Sequence, residues 1–248
     1  MTAIRSLLFN LCFFGWTAIL CVLGLPTLLL PRGVLVWFAR FWARGMVAML
    51  RGLVGLRHEL RGLAHRPRGG AIFAFKHQSA WETIMLPLLV PDPMIVLKRE
   101  LLAVPLFGWY LRKTGQIAVD RRGGGAALKR MLRAAAAGAA GGRSLVIFPE
   151  GTRTAPGQHR PYQPGIAALY AQLRLPVVPV ALNSGSFWPR RSFAKRAGRI
   201  AVEFLPAIAP GLSREAFLAE LERRTETACA RLLAEARQGP GSGRRARA

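Results

Sequence analysis

The chain opens with an uncharged apolar run that covers residues 6–30. Twenty of these residues precede Pro26, and at about 1.5 Å per residue they form roughly 30 Å of helix, the thickness of a bilayer's hydrocarbon core. A signal peptide with Arg5 in its basic region is the alternative, but the run is too long and no A-x-A-like cleavage site follows it. The pattern therefore predicts a retained membrane anchor.

A second apolar segment, residues 34–56, carries arginines at regular intervals. Arg40, Arg44 and Arg51 recur at spacings of four and seven, while aromatic and aliphatic residues fill much of the remaining surface. This pattern is typical of an amphipathic helix that lies in the membrane interface. A buried core hairpin in a soluble protein is the alternative, and three arginines in so apolar a segment disfavour it. We predict that residues 1–58 form a membrane anchor, an apolar helix followed by an interfacial amphipathic helix.

From residue 71 onward, short β-like runs alternate with helical stretches. The runs occupy residues 71–75, 94–98, 116–120, 144–148, 177–182 and 199–205. The helical stretches cover residues 81–90, 101–113, 125–139, 165–173 and 213–238, with Ser213 as the N-cap of the last. Alternation of this kind predicts an α/β fold with a mainly parallel sheet flanked by helices. Pro179 lies inside a predicted strand, where it should mark an edge or a bulge.

These patterns divide the chain into an anchor, one α/β domain and a tail. The domain covers residues 59–238, which is a typical length for a single domain. Residues 239–248 form a basic tail that is rich in glycine and arginine, and this composition predicts disorder.

The formal net charge of +24 indicates a polyanionic partner, which could be nucleic acid, an anionic membrane surface or a phosphorylated substrate. Residues 1–58 contain six arginines and no acidic residue, which suits the anionic cytoplasmic leaflet of a membrane. No nucleic-acid reader motif is present, and the longest basic region without acids is apolar and rich in tryptophan. We expect membrane lipids and no nucleic acid as partners, at the inner (cytoplasmic) membrane with the active site facing the cytoplasm.

Several familiar active-site motifs are absent from the sequence. It has no G-x-x-x-x-G-K-[ST], no G-x-S-x-G, no H-E-x-x-H and no Cys/His spacing typical of a metal site. Kinase, serine-hydrolase and zinc-enzyme interpretations lose their support, and we expect no metal site. Cys12, Cys21 and Cys229 form no C-x-x-C pair and lie in apolar or helical segments, which favours packing over nucleophilic catalysis.

The first segment with promising chemistry is A-F-K-H-Q-S-A-W-E, residues 74–82, where a predicted strand ends before a helix. His77 lies in the turn and Glu82 follows five residues later. A neutral imidazole at a strand end can take a proton from an alcohol, and a carboxylate on its other nitrogen would stabilise the imidazolium. Ser79 and Glu82 also match the S-x-x-E capping box, a purely structural role. Spacing alone does not decide between the two interpretations.

A second segment, F-P-E-G-T-R at residues 148–153, also follows a predicted strand. Gly151 allows backbone amides to approach a ligand, and Arg153 can bind a phosphate or carboxylate through two parallel hydrogen bonds. An ion pair between Glu150 and Arg153 that merely holds the loop is the alternative.

Two further segments bring the number of short sequence motifs to four. Gly115–Arg121 reads G-x-I-x-x-x-R, and Val177–Val180 reads V-x-P-V. With His77–Glu82 and the intact F-P-E-G-T-R, these blocks resemble those of the 1-acyl-sn-glycerol-3-phosphate acyltransferase family. The resemblance covers roughly residues 70–206, and F-P-E-G-T-R downstream of such a histidine block is highly specific.

The resemblance implies a role for each matching residue. His77 would be the general base, with Glu82 standing where the family usually has Asp, one methylene shorter. Ala118 occupies a position where the family often has Phe, which leaves the apolar wall of the acceptor pocket undefined. The implied substrate-binding residues are Lys98, Arg121, Glu150, Gly151, Thr152 and Arg153.

The resemblance also implies a glycerophosphate acyltransferase-like fold and a reaction. A fatty acyl group would pass from acyl-CoA or acyl-carrier protein to the sn-2 hydroxyl of 1-acyl-glycerol-3-phosphate (lysophosphatidic acid), forming phosphatidic acid in phospholipid biosynthesis. The thioester donor is a co-substrate, and no bound cofactor is implied. An acyltransferase for another lyso-lipid, such as a lyso-aminolipid, shares every motif, and a catalytically silent membrane scaffold is a third interpretation.

Overall fold

The computed structural model describes residues 2–120 and 122–238, so Arg121 and the predicted tail at 239–248 lie outside the described residues. It contains a seven-stranded sheet in the order β1-β7-β6-β2-β5-β3-β4. The strands are β1 (Leu56–Arg61), β2 (Ile72–Phe75), β3 (Met94–Lys98), β4 (Ile117–Val119), β5 (Leu145–Ile147), β6 (Val177–Leu182) and β7 (Gly198–Phe204). The helices are α1 (Thr2–Leu23), α2 (Arg32–Met49), α3 (Trp81–Leu89), α4 (Phe107–Lys113), α5 (Gly124–Ala140), α6 (Pro164–Leu173) and α7 (Arg214–Gln238). Every neighbouring pair is parallel except β6 and β7, which confirms the mainly parallel α/β fold.

The N-terminal helices α1 and α2 form a hairpin. A short 3-10 turn, Leu25–Leu29, joins them, and it begins where Pro26 interrupts the apolar run. After α2 the chain widens into a π-helical turn, Leu50–Val54, and Gly55 ends it in the left-handed conformation at φ 76°. A glycine adopts this conformation without the steric cost that a side chain would bring.

The two faces of this hairpin differ in burial. Phe9, Met46 and Leu50 are buried in one core cluster together with Trp81 and Trp188 of the α/β domain. The opposite faces leave large apolar side chains exposed, and these include Ile4, Leu7, Leu8, Leu11, Phe14, Ile19, Val22, Leu23, Trp37 and Phe41. Both helical segments are long and apolar enough to cross a membrane, and only 17% and 22% of their most apolar windows are buried. The buried-core-hairpin alternative therefore accounts for the inner faces and not for the outer ones, and the interfacial placement of α2 stays a prediction.

The central strands are nearly continuous apolar segments because helices cover both faces of the sheet. Alternate residues of β2 point to opposite sides, so Phe73 and Phe75 join the core under the hairpin while Ile72 and Ala74 join the core under α6 and α7. The expectation that Pro179 marks an edge or bulge is wrong, since β6 lies in mid-sheet between β2 and β7. Pro179 is tolerated because it stands opposite the end of β7, where its carbonyl still accepts from the Leu205 amide at 2.9 Å.

Three further features of the fold compare differently with the expectations from sequence. The stretch predicted as one helix at 101–113 is divided, with a 3-10 turn at Arg99–Ala103 before α4, because Pro105 interrupts it. Strand β1 is absent from the predicted runs, because its two leucines are four residues apart with polar residues between them and so show no alternation. Ser213 does cap α7 as predicted, because its hydroxyl accepts a bond from the Ala216 amide at 3.1 Å.

The strand order brings the chemically promising segments to one edge. Because β2, β3, β5 and β6 run parallel, their carboxyl ends lie at the same side of the sheet. Ligands of open α/β sheets bind at this side. The segments that follow these strands are the ones from which the site is built.

Candidate active site

His77 lies in the loop between β2 and α3. Its ring stacks on Phe148, the residue directly after β5, with the ring centroids 4.1 Å apart and the planes inclined by 25°. The side chain is 13% exposed. The imidazole is therefore held on one face by an aromatic ring and still reaches the surface.

Glu82, in the first turn of α3, is fully buried and faces this imidazole. Its Oε1 atom lies 2.9 Å from Nδ1 of His77 and accepts the amides of Gln78 and Ser79, both at 2.6 Å. A carboxylate accepts hydrogen bonds only, so Nδ1 carries the proton and Nε2 presents its lone pair. No residue that the structure describes bonds to Nε2. The arrangement is that of a base ready to take a proton.

One oxygen of Glu82 thus satisfies both interpretations of the sequence. The bond from the Ser79 amide is half of the predicted capping box, while the Ser79 hydroxyl accepts from the amide of Trp81 at 3.1 Å. The extra methylene relative to the aspartate of the resembled family does not separate the carboxylate from His77. The contact with His77 and the cap of α3 are both made by the Glu82 side chain.

The F-P-E-G-T-R segment folds as a turn that is bonded to the His77 loop. Gly151 adopts φ 67°, a conformation that favours glycine, and its amide donates to the Phe148 carbonyl at 2.9 Å. The Thr154 amide donates to the His77 carbonyl at 2.7 Å, and the His77 amide donates to Oε2 of Glu150 at 3.0 Å. Two backbone bonds to His77 therefore fix its position from this side.

Glu150 is buried and pairs with a lysine from β2's end, so the predicted alternative of a Glu150–Arg153 ion pair is wrong. Nζ of Lys76 lies 2.8 Å from Glu150 and 2.7 Å from Glu226 of α7. Burial alone lowers the pKa of Lys76, but the hydrogen bonds and charges of the two carboxylates outweigh it, so its pKa is raised. Tyr162 donates a further bond to Glu226 at 2.9 Å.

Two of the cationic residues implied as phosphate contacts, Arg153 and Lys98, are described by the structure. Arg153 is partly exposed, and no carboxylate of the described residues pairs with it. Lys98 is exposed at the end of β3, which is two strands from β2 and so about 10 Å from it. Thr152 is partly exposed beside Arg153. Arg121 lies outside the described residues.

The described residues offer no activated thiol or hydroxyl to the imidazole. Burial raises the pKa of the Cys229 thiol to about 12, so it stays protonated near neutral pH. The hydroxyl of Ser79 is engaged with the backbone of α3, and that of Ser184 donates to Glu82 at 2.8 Å. Nε2 of His77, which has no partner among the described residues, is therefore available to a group that a ligand would bring.

Sequence reasoning missed several residues of this site, namely Lys76, Gln78, Ser184, Gly185 and Glu226. One signal could have found two of them: the polar run that begins at Asn183 directly follows a predicted parallel strand, as His77 does. The sequence around Glu226 contains no signal of this role, because Glu226 pairs with Lys76, which is 150 residues away along the chain.

Comparison with known proteins shows the family to which this chain belongs. The family model described as Acyltransferase matches residues 57–183, more than half of the chain. A 1-acyl-sn-glycerol-3-phosphate acyltransferase of Pseudomonas aeruginosa is 38% identical over 160 residues, which are 64% of this chain and 62% of that protein. A protein of the same name from Cocos nucifera is 31% identical over 140 residues, covering 56% of this chain and 46% of that one. The chain thus matches less than two thirds of the length of either relative.

A solved structure shares the fold. The crystal structure of the 1-acyl-sn-glycerophosphate (LPA) acyltransferase PlsC from Thermotoga maritima aligns with a TM-score of 0.73 at 19% identity. The alignment covers 94% of this chain and 98% of that one, so it includes the N-terminal hairpin as well as the sheet.

Proposed function

Because the chain belongs to the Acyltransferase family, we propose that it transfers a fatty acyl group from a thioester to the sn-2 hydroxyl of 1-acyl-glycerol-3-phosphate, forming phosphatidic acid. The single observation that carries this proposal is the contact between Nδ1 of His77 and the buried Glu82, beside the F-P-E-G-T-R turn. Its acceptor class is supported by the names of the relatives, which are 1-acyl-sn-glycerol-3-phosphate acyltransferases.

In the proposed reaction, Nε2 of His77 removes the proton of the acceptor hydroxyl while the hydroxyl oxygen attacks the thioester carbonyl. A carbon–oxygen bond forms, the carbon–sulfur bond breaks, and the leaving thiolate takes the proton from the imidazolium. Glu82 stabilises that imidazolium and keeps its Nδ1–H in place. A base of this kind contributes about 100- to 10,000-fold to the rate. The acyl group passes directly to the acceptor, because no protein nucleophile is within reach of the base among the described residues.

The proposed phosphate site uses the cations around this edge of the sheet. Arg153 and Lys98 supply positive charge to the acceptor's phosphate, and Arg121 joins them as the resemblance implies. Gly151 and Thr152 shape the turn. Glu150 is buried and accepts a hydrogen bond from the His77 amide. It thereby sets the position of the base relative to the bound glycerol phosphate.

The proposal also includes an acyl donor and a membrane location. The thioester is acyl-CoA or acyl-carrier protein, a co-substrate that carries phosphate and suits a basic surface. The apolar hairpin holds the protein in the inner membrane among membrane lipids, with the active site facing the cytoplasm, where the basic flanks meet anionic headgroups.

The test is an acceptor panel offered to membranes that contain the full-length protein. Lysophosphatidic acid, lysophosphatidylethanolamine and a lyso-aminolipid are each supplied with acyl-CoA and, separately, with acyl-carrier protein. We expect turnover of lysophosphatidic acid to exceed the others by at least tenfold. Preference for a lyso-aminolipid would move the proposal to that acceptor, and inactivity with every pair would leave the scaffold interpretation.

A further inference from the structure

The turn that follows β6 contacts the buried carboxylate of the proposed catalytic pair. Ser184 opens the 3-10 turn Ser184–Ser186 and is fully buried. Its hydroxyl donates to Oε2 of Glu82 at 2.8 Å, across 102 residues of sequence. Among the described residues, this hydroxyl is the hydrogen-bond donor to Oε2, whereas Oε1 receives the bonds from His77, Gln78 and Ser79.

A buried carboxylate needs partners on both oxygens, because an unsatisfied charged acceptor costs more free energy than a neutral one. The torsion that turns the carboxylate plane is broad and has weak intrinsic preferences. The bond to Oε2 therefore limits rotation of that plane. Rotation would move Oε1 away from Nδ1 of His77, which lies 2.9 Å away.

The turn is itself held firmly enough to act as a support. The amide of Gly185 donates to Oε1 of Gln78 at 3.0 Å, which binds the turn to the His77 loop. The side chain of Asn183 bonds to the carbonyl of Leu232 in α7 and to the amide of Ala201 in β7. Ser184 thus lies between two anchored neighbours, and its hydroxyl is preorganised toward Glu82.

We propose that Ser184 is a positioning residue of the acyl transfer reaction, which acts by holding the Glu82 carboxylate against His77. This inference rests on the proposed function. Among the described residues Ser184 makes no hydrogen bond to His77, and its effect passes through Glu82. Without this bond the carboxylate can turn away from His77, so the imidazolium that forms in the reaction is stabilised less. Among the described residues, the charged groups bonded to the His77 loop are Glu150, through the His77 amide, and its partner Lys76, and neither changes in the variants below.

The experiment compares Ser184→Ala with Ser186→Ala in the full-length protein, reconstituted in vesicles of phosphatidylethanolamine and phosphatidylglycerol. Ser186 belongs to the same turn, and its buried hydroxyl has no partner among the described residues, which makes it a matched control. We expect Ser184→Ala to lower kcat roughly 10- to 100-fold with both KM values within about threefold of the parent. The acidic limb of kcat/KM should move to lower pH, because a displaced carboxylate stabilises the protonated base less. The kcat of Ser184→Cys, which keeps a weak donor, should fall between those of the parent and Ser184→Ala.

The outcomes separate this inference from the proposed function. If parent and Ser186→Ala transfer no acyl group to any acceptor, the proposed function fails. If the parent is active and Ser184→Ala keeps more than half of kcat with an unmoved acidic limb, the positioning role is overturned. Should Ser184→Ala not fold, Ser184→Cys decides: parental kcat together with a parental pH profile would overturn the inference, and an intermediate kcat with a shifted limb would support it.

Discussion

Oε1 of Glu82 lies 2.9 Å from Nδ1 of His77, and the carboxylate that makes this contact is fully buried. Two backbone amides of the loop before α3 hold the same oxygen at 2.6 Å, and the Ser184 hydroxyl holds the other, so the protein itself positions the carboxylate. Preorganised charge of this kind stabilises an imidazolium at the moment it forms, without the cost of reorienting dipoles. The protein places a negative charge where the proposed reaction creates a positive one.

Replacing His77 by Ala should abolish acyl transfer, with a loss of at least about 100-fold, while the protein stays folded. The ring lies in a loop and stacks on one side of Phe148, so its removal opens little core. Activity is measured with lysophosphatidic acid and acyl-CoA, and folding by thermal unfolding.

The matched control is His159→Ala, an exposed histidine that pairs with Glu222 of α7 at the surface. We expect parental activity from it. A His77→Ala protein that keeps more than a tenth of the activity would refute the general-base assignment.

Removing the Arg153 side chain should raise the KM for lysophosphatidic acid about 10- to 100-fold and leave the KM for the donor nearly unchanged. A charge-assisted bond to phosphate contributes roughly 1.5–3 kcal/mol, and this side chain is not engaged with a carboxylate of the described residues. Arg160→Ala, at an exposed position of the same loop, is the control and should behave as the parent. Equal effects of Arg153→Ala on both substrates would show that Arg153 supports the loop instead.

Replacing Lys76 by Met should destabilise the protein by about 3–5 kcal/mol, because the buried Glu150 and the partly exposed Glu226 would lose their shared cation. The pKa of Lys76 is raised in the fold, so the stabilisation is complete below the ordinary lysine value and is lost only as pH rises above it. The difference in unfolding free energy between parent and variant should therefore be constant between about pH 7 and 9 and narrow in stronger alkali.

Denaturant unfolding measures this effect, with Lys129→Met on the exposed face of α5 as the control. A further variant, Lys76→Met with Glu150→Gln and Glu226→Gln, removes the unpaired charges and should recover part of the loss. A single Lys76→Met change that costs less than about 1 kcal/mol would mean that water reaches these carboxylates.

The local part of the site could be predicted from the sequence because its determinants are close along the chain. His77 and Glu82 are five residues apart, and the F-P-E-G-T-R turn is contiguous. Both segments follow apolar strands, and in a parallel sheet such ends meet at one edge.

The supporting part could not be predicted, because it depends on which strands become neighbours. Ser184 contacts Glu82 because β6 pairs with β2. Lys76 contacts Glu226 because α7 packs on β6. The expectation that Pro179 marks an edge or a bulge is wrong for the same reason, because a proline is tolerated in mid-sheet here only where β7 ends. Composition and periodicity carry no information about these long-range pairings.

The full-length protein should stay in the membrane fraction at about 1 M salt, because screening weakens headgroup contacts and leaves apolar insertion intact. Leu7, Leu11 and Phe14 share one exposed face of α1, so changing all three to Lys should make binding sensitive to salt. Sedimentation of washed membranes measures both proteins. Complete release of the parent by salt alone would refute the embedded hairpin.

Glu82→Gln separates the charge of this side chain from its role in capping α3. The amide oxygen of Gln can still accept the bonds from Nδ1 of His77 and from the amides of Gln78 and Ser79. Its NH2 group can donate to Ser184, whose hydroxyl is able to reverse and accept. Every hydrogen bond of the site is then retained while the negative charge is lost, so we expect thermal stability within about 1 kcal/mol of the parent.

Activity should respond differently, because a neutral amide cannot stabilise the imidazolium. We expect Glu82→Gln to lower kcat by two or more orders of magnitude with little change in either KM, whereas Glu82→Asp, the shorter carboxylate usual in the resembled family, should keep substantial activity. The measurement is steady-state kinetics beside a thermal unfolding curve for each variant. A Glu82→Gln protein with near-parental kcat would reduce Glu82 to a helix cap, and the orientation of His77 would then have to come from its stacking on Phe148 and its backbone bonds to the 150–154 turn.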